Sequence, residues 1–324
     1  MKRFAEKFRR LTEMGLPEVY FRAKQQVRIT RERLQLQITG SATSACKWWE
    51  AWDPERVSDE ALRSAIKNGR GQDANAFLPK YLASRSNAAF FWNPGEPKKI
   101  VSLYSQRFPG RAAQICAEAD SSLAHRFRIF AFPEVSAQGA IPWRRDLVNG
   151  RESNLDHFSQ IRYLDFDSVG DSKVVWELSR HMFLIGVCLA FLLTRDKKYS
   201  AAVFDELSCW HAENPYGRGI NWASSLEVAF RSWSWLWIAF MLGADDDLAS
   251  NGLQVGNISA ALSRNAEFIS ANLSTYFSPN THLMGEGFVL FCTGLLFPEL
   301  KGSQKWLDEG RRILEEEMLK QVRE

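Results

Sequence analysis

The sequence predicts an all-α fold, an incomplete α/α toroid of stacked helical hairpins, and three observations carry that prediction. From residue 173 onward, apolar residues recur with the 3.6-residue period of helices, punctuated by Pro, Gly and Asn. Those helices alternate between apolar nearly all round and apolar on one face. Residues 41–170 show no alternation of apolar and polar residues sufficient for a sheet. A helix buried on every side, followed by one buried on a single side, makes an inner and outer pair. Repeated, the pair closes into a ring whose inner-helix ends border a central cleft.

The elements follow in order. Residues 1–40 form a basic, partly amphipathic helical lead-in, broken at Pro17, with ten Lys/Arg against four Glu over residues 1–33. That is +6 in a chain of net +3, which leaves −3 for the rest. Two readings stand for it: a solvated helix packed on the domain or a partner, and a contact with an anionic membrane surface or polyanion. Residues 41–170 are rich in aromatics (Trp48-Trp49, Phe90 to Gly95, Ile141-Pro142-Trp143) and read as short helices and loops packed on the toroid. Residues 171–324 hold the hairpins. The spacing predicts helices over Val174–Leu193, Tyr199–His211, Trp222–Leu242, Asn257–Phe277, His282–Leu296 and Lys305–Val322. The first, third and fifth are the inner ones. The chain ends in mid-helix without a capping signal, so the fold is expected to continue beyond it.

Composition narrows the function only a little. At 45% apolar and 24% charged, the chain is globular, and its 12 Trp and 22 Phe suit either a large core or a cleft lined with flat faces. No apolar segment follows the basic start, so no secretory signal is expected, and cytoplasmic location is the default beside a periplasmic alternative. The longest apolar run, Met182–Leu193, is too short to span a bilayer. Five scattered cysteines lack metal-ligand spacing. No metal, cofactor or nucleic-acid partner is expected.

Three clusters could carry chemistry. In SPNTHLMGEGFVLF, Asn280 stands at the mouth of the fifth helix, His282 in its first turn and Glu286 one turn on. Each has an ordinary explanation: an N-cap, a surface histidine, and a carboxylate favoured at a positive helix end. Together they could bind a substrate carboxylate through an amide and move a proton through an imidazole. In the second cluster Asn221 caps the third helix and Trp222 sits at its mouth, with Glu227 and Arg231 pairing below or reaching an anionic group. The third cluster, Asp171, Lys173, Trp176, Glu177 and Arg180, opens the first long helix, with Lys173 and Glu177 spaced for an ion pair.

The segments IPWRRDLVNGRESNLDHFSQIRYLDFDSVGDSKVVWELSRH, NPYGRGINWASSLEVAFRSWSW, YFSPNTHLMGEGFVLF and FPELKGSQKWLDEGRRILEEEMLKQV, in this order, resemble the N-terminal toroid of the heparinase II/III-like polysaccharide lyases. The resemblance covers roughly residues 140–324, with only a loose match before. It implies a toroid followed by a β-sandwich, and β-elimination on an acidic polysaccharide. Asn280 matches the position that neutralises the uronate carboxylate. His282 belongs to the motif that supplies an acid/base histidine in some relatives. Glu286 lies within that motif, and Asn221, Trp222, Glu227 and Arg231 match the second motif as cleft lining and support.

The sequence also departs from the family pattern. The family's Tyr acid/base follows the sixth helix, and a further histidine comes from the β-sandwich; neither is present here. Trp143-Arg144-Arg145-Asp146 stands where relatives often carry Trp-His-Arg-Asp, and Met284 replaces a small polar residue. This chain alone is therefore expected to bind acidic polysaccharide better than it cleaves it. Two other classes remain: a glycan-binding toroid without chemistry, and an inverting glycoside hydrolase using Glu227 and Glu286, whose carboxylates would then stand about 6.5–9.5 Å apart.

Overall fold

A computed structural model describes residues 14–39, 47–85, 90–91, 96–243 and 251–321. Trp92 to Gly95, Cys46, residues 1–13 of the basic lead-in and the last three residues lie outside the described residues. The fold is all-α, and its C-terminal half is the hairpin stack of an α/α toroid. In chain order the helices are α1 (Leu16–Thr39), α2 (Glu60–Lys67), α3 (Gly71–Ser84), α4 (Pro97–Arg107), α5 (Pro109–Leu123) and α6 (Phe166–Val169). They continue as α7 (Ser172–Ser179), α8 (Met182–Thr194), α9 (Lys197–Glu213), α10 (Ser225–Leu242), α11 (Gly252–Ala271), α12 (Thr281–Leu296) and α13 (Ser303–Gln321).

The inner row is α8, α10 and α12, each touching the next, while α9, α11 and α13 pack behind them. The apolar patterning explains the difference. α8 is buried or half-buried along its length except at its ends, whereas α13 buries one stripe: Ser303, Trp306, Gly310, Ile313 and Glu317. Burying a large apolar side chain such as Trp306 stabilises by about 1.5–3 kcal/mol. α12 and α13 approach unusually closely because glycines face each other: a Cβ on Gly310 would strike the Gly287 carbonyl and the Phe291 backbone.

Several boundaries differ from the sequence reading. The single helix expected over Val174–Leu193 is two, α7 and α8, broken where His181 takes a left-handed backbone (φ 59°). The segment Ser172–Thr194 meets the length and composition of a membrane span, but 61% of its apolar window is buried in the protein core. α11 starts at Gly252, five residues before the expected Asn257, and ends at Ala271 rather than Phe277. It is also more enclosed than an outer helix should be. The 3-10 turn Trp48–Ala51 and α3 pack on its outer face, with Gly256 against the Trp48 ring and the Trp52 indole donating to Ser259 Oγ at 2.9 Å.

Residues 41–170 contain more regular helix than expected. α5 is 15 residues long and packs on α8, and the only strands among the described residues are a two-residue ribbon, β1 (Arg126–Phe127) with β2 (Val135–Ser136). One hydrophobic cluster runs from Trp48 to Trp306 through both halves. It is clamped at one edge by Glu299, which is 2% exposed, accepts a 2.7 Å bond from the Tyr81 hydroxyl and pairs with Arg85 at 3.3 Å.

Candidate functional site

The start of α7, the turn before α10 and the segment before α12 meet around a cleft of about 710 Å³. Gly219 makes the middle piece possible: its backbone is left-handed (φ 78°), which lets the 3-10 turn Ile220–Trp222 reverse toward α10. Two indoles are pinned beside that turn. Trp176 donates to the Ile220 carbonyl at 3.0 Å, and Trp222 to the Asn214 carbonyl at 3.4 Å. Tyr163, Phe158, Phe268, Tyr276 and Phe277 supply further aromatic wall, and Arg22, Lys173, Arg180 and His282 supply cationic or protonatable groups.

Of the residues singled out in the sequence, Lys173, Trp176, Arg180, Trp222, Glu227 and His282 line this cleft. Trp222 is only 4% exposed, and the Arg231 guanidinium lies 4.6 Å from its ring centroid. His282, in the first turn of α12, contacts Phe277 edge to face at 6.1 Å. Asn280 is exposed and caps α12, its Oδ1 accepting from Thr281 N at 2.7 Å and from Ser278 Oγ at 3.0 Å. It sits just outside the lining, between Ser278 and His282, which both belong to it.

The other predicted residues are buried supports. Asn221 does not cap α10; that position belongs to Ser224. Asn221 is fully buried and donates to the Trp143 carbonyl and to Asn214 Oδ1, both at 2.8 Å. The expected Glu227–Arg231 pair is replaced. Glu227 takes a two-pronged bond from Arg180, at 2.7 and 2.9 Å, from a different helix. Arg180 also reaches Glu177 at 2.9 Å and stacks over Phe230, so Glu177 pairs with Arg180 rather than with Lys173. Burial works against the Arg180 charge, but these carboxylates hold its pKa above the usual value. Arg231 is fully buried between the Trp210 and Trp222 rings, donating to the Asn221 carbonyl at 2.6 Å, and burial pushes it down to about 9. Glu286 is fully buried and accepts from Ser274 N at 2.8 Å and Ser274 Oγ at 2.6 Å.

The hydrolase reading loses ground here: Glu286 lies outside the cleft lining and Glu227 is tied to a guanidinium. Arg144 bonds Ser153 and Glu152, and neither it nor buried Asp146 faces the cleft. Among the described residues no group of His, Cys, Asp and Glu is arranged to hold a metal ion.

The sequence reading did not find that α1 crosses the cleft. Phe21, Arg22 and Gln25 line it, and Phe21 meets Tyr276 edge to face at 5.3 Å. Arg28 fastens the helix to the C-terminus of α11, donating to the Ala271 carbonyl at 2.9 Å and Asn272 Oδ1 at 2.6 Å. Glu32 lies 3.7 Å from His157. The stripe Glu18, Phe21, Gln25, Arg28, Glu32 was legible as a helix face, but its destination was not. Tyr163 and Tyr276 were also missed, although Tyr276 directly precedes the Asn/His motif.

The helices have known counterparts. This chain aligns with heparinase III at TM-score 0.63 and 19% identity, covering 87% of this chain and 39% of that one. It aligns with the heparan sulfate lyase HepC of Pedobacter heparinus at TM-score 0.61 and 20% identity, covering 86% and 39%. With a heparinase III that is the BT4657 gene product the values are 0.60 and 18%, covering 87% and 41%. At these identities the likeness establishes the fold. The chain spans about two fifths of the length of these structures. No curated protein matches its sequence. Residues 49–324 match the family described as Heparinase II/III N-terminus, and the chain belongs to that family.

Proposed function

We propose that the chain is the toroid portion of a polysaccharide lyase that cleaves a uronate-containing acidic polysaccharide by β-elimination. One observation carries the reading: a groove with indole and phenol walls has Lys173 and His282 on it, neither engaged in an ion pair among the described residues. Flat aromatic walls suit sugar rings, an unpaired ammonium suits a sugar carboxylate, and an imidazole suits proton transfer. In this mechanism the Asn280 amide, at the positive end of α12, donates to the uronate carboxylate and spreads its charge. The C5 proton becomes acidic and His282 accepts it. The C5 electron pair forms the C4–C5 double bond as the bond to O4 breaks, and O4 leaves with a proton from an acid of the partner domain or from water. Family membership and the neighbours, one named a heparan sulfate lyase and another heparinase III, support this assignment. A β-sandwich partner domain, as the resemblance implies, would complete the acid/base set.

The test is calorimetry of the chain with heparan sulfate, alginate and a bacterial capsular uronan at two salt concentrations, alongside ultraviolet detection of unsaturated uronate. The expected result is salt-sensitive binding to one polymer, weakened by Asn280→Ala and Lys173→Met, with slow or no product from the chain alone. Absence of binding across the panel would overturn the assignment. Binding unchanged by Asn280→Ala would remove that amide from the site. The second reading, a toroid that holds acidic glycan without chemistry, is favoured by one fact: Glu227, the cleft's carboxylate, is locked to Arg180. Product formation that is lost in His282→Ala separates the two.

A further inference from the structure

We propose that the cavity between α9 and α11, which shares only Trp222 of its lining with the cleft, is a second binding site for a compact ring-shaped hydroxy-carboxylate. The cavity measures about 350 Å³, at the low end of the 300–1,000 Å³ typical of small-molecule sites. That is room for one ring and not for a polymer. Its floor is made of Trp210, Trp222 and Trp235, all nearly fully buried, which favours a ring over a branched or linear ligand.

Charge selects an anion. Among the described residues no Asp or Glu lines the cavity, while Arg264 does, and Arg264 makes no hydrogen bond or ion pair among them. Behind the floor, Arg231 is stacked on Trp210 and Trp222 at 4.8 and 4.6 Å, with its Nε and Nη2 unpartnered and buried. A fixed cation in so dry a place projects its field with little screening. His211 on the same wall is kept neutral: burial pushes it down to about 4, and Arg264 and Arg231 add to the effect. Among the described residues the acids near enough to matter are engaged or outside, Glu32 being held by Arg28. Glu227, which acts on Arg231, is held by Arg180, and Glu267, one turn along α11 from Arg264, does not line the cavity.

A hydroxyl completes the ligand class. Gln254 lines this cavity, and its Oε1 is buried and has no donor. A buried acceptor left unpaired costs about 1–3 kcal/mol, which a ligand O–H would recover. The shared chemistry is therefore one ring, one carboxylate for Arg264 and one hydroxyl for Gln254. A sugar acid and an aromatic hydroxy acid both meet it.

The experiment titrates the chain with D-glucuronate, 4-hydroxybenzoate and, as the neutral control, methyl glucoside, read by calorimetry and by tryptophan fluorescence. Binding of either acid is expected, with methyl glucoside at least about tenfold weaker. Arg264→Met, at a partly exposed position with no bonds to lose, is expected to weaken the acid about tenfold or more. Gln254→Leu weakens it a few-fold. Lys173→Met removes only the part of glucuronate binding that belongs to the cleft and leaves 4-hydroxybenzoate unchanged. Which acid binds assigns the source, sugar or aromatic, and either result supports the site. The proposal is overturned if neither acid binds, if Arg264→Met binds as tightly as the wild type, or if Lys173→Met alone abolishes binding.

Discussion

Glu286 makes α12 sensitive to pH, and the effect is large enough to isolate. Its carboxyl is fully buried, and burial raises its pKa from 4.5 to about 7 even though Ser274 donates two hydrogen bonds that oppose the rise. A group that binds its proton more tightly in the folded state stabilises the fold fully below its unfolded pKa. That stabilisation is lost as pH rises through the folded pKa. The window is therefore from 4.5 to about 7, and at about 1.4 kcal/mol per pH unit the loss approaches about 3 kcal/mol. Glu286→Gln imitates the protonated form, since its amide oxygen accepts from Ser274 N while its NH₂ donates to Ser274 Oγ. Urea denaturation of wild type and variant is measured at half-unit steps from pH 4.5 to 8. His211, pushed down to about 4, changes the stability of both proteins alike, so the difference between them isolates Glu286. The two curves should nearly coincide at the acid end, with the variant ahead by about 3 kcal/mol above neutrality. A difference that stays flat across this range would refute the reasoning.

Arg231→Ala leaves the Asn221 carbonyl unpaired and a void between two indoles, so it is expected to cost about 3–5 kcal/mol in denaturant unfolding; a cost under about 1 kcal/mol would mean the stack contributes little. Gly310→Ala forces α12 and α13 apart and is expected to lower stability by about 1–3 kcal/mol, read as a drop in Tm. Arg28→Ala removes two bonds that hold α1 across the cleft, so limited proteolysis should cut within residues 16–39 faster while the Tm of the remainder changes little.

Much of the architecture was legible because it is local. The apolar periods of α8, α10 and α12, and the single stripe of α9 in Tyr199, Val203, Phe204, Leu207 and Trp210, are written in consecutive residues. The break at His181 was not, because a left-handed histidine is chosen by what surrounds it: here the Trp235 indole donates to its Nδ1 at 2.8 Å. The burial of α11 was hidden for a similar reason, since the residues that cover it, Trp48 and α3, lie some two hundred positions away in the chain.

The candidate site divides the same way. Sequence alone determined that an amide and an imidazole stand at the mouth of one inner helix and an indole at another, because turn residues and helix starts set those positions. Only the tertiary structure decided that Arg180 rather than Arg231 holds Glu227, that Glu286 faces Ser274, and that α1 lies over the cleft. Spacing along a helix gives the face a side chain occupies. The partner it meets there depends on which other element packs closest: Glu227 meets a guanidinium, Glu286 meets Ser274, and Arg231 meets two indoles and a carbonyl.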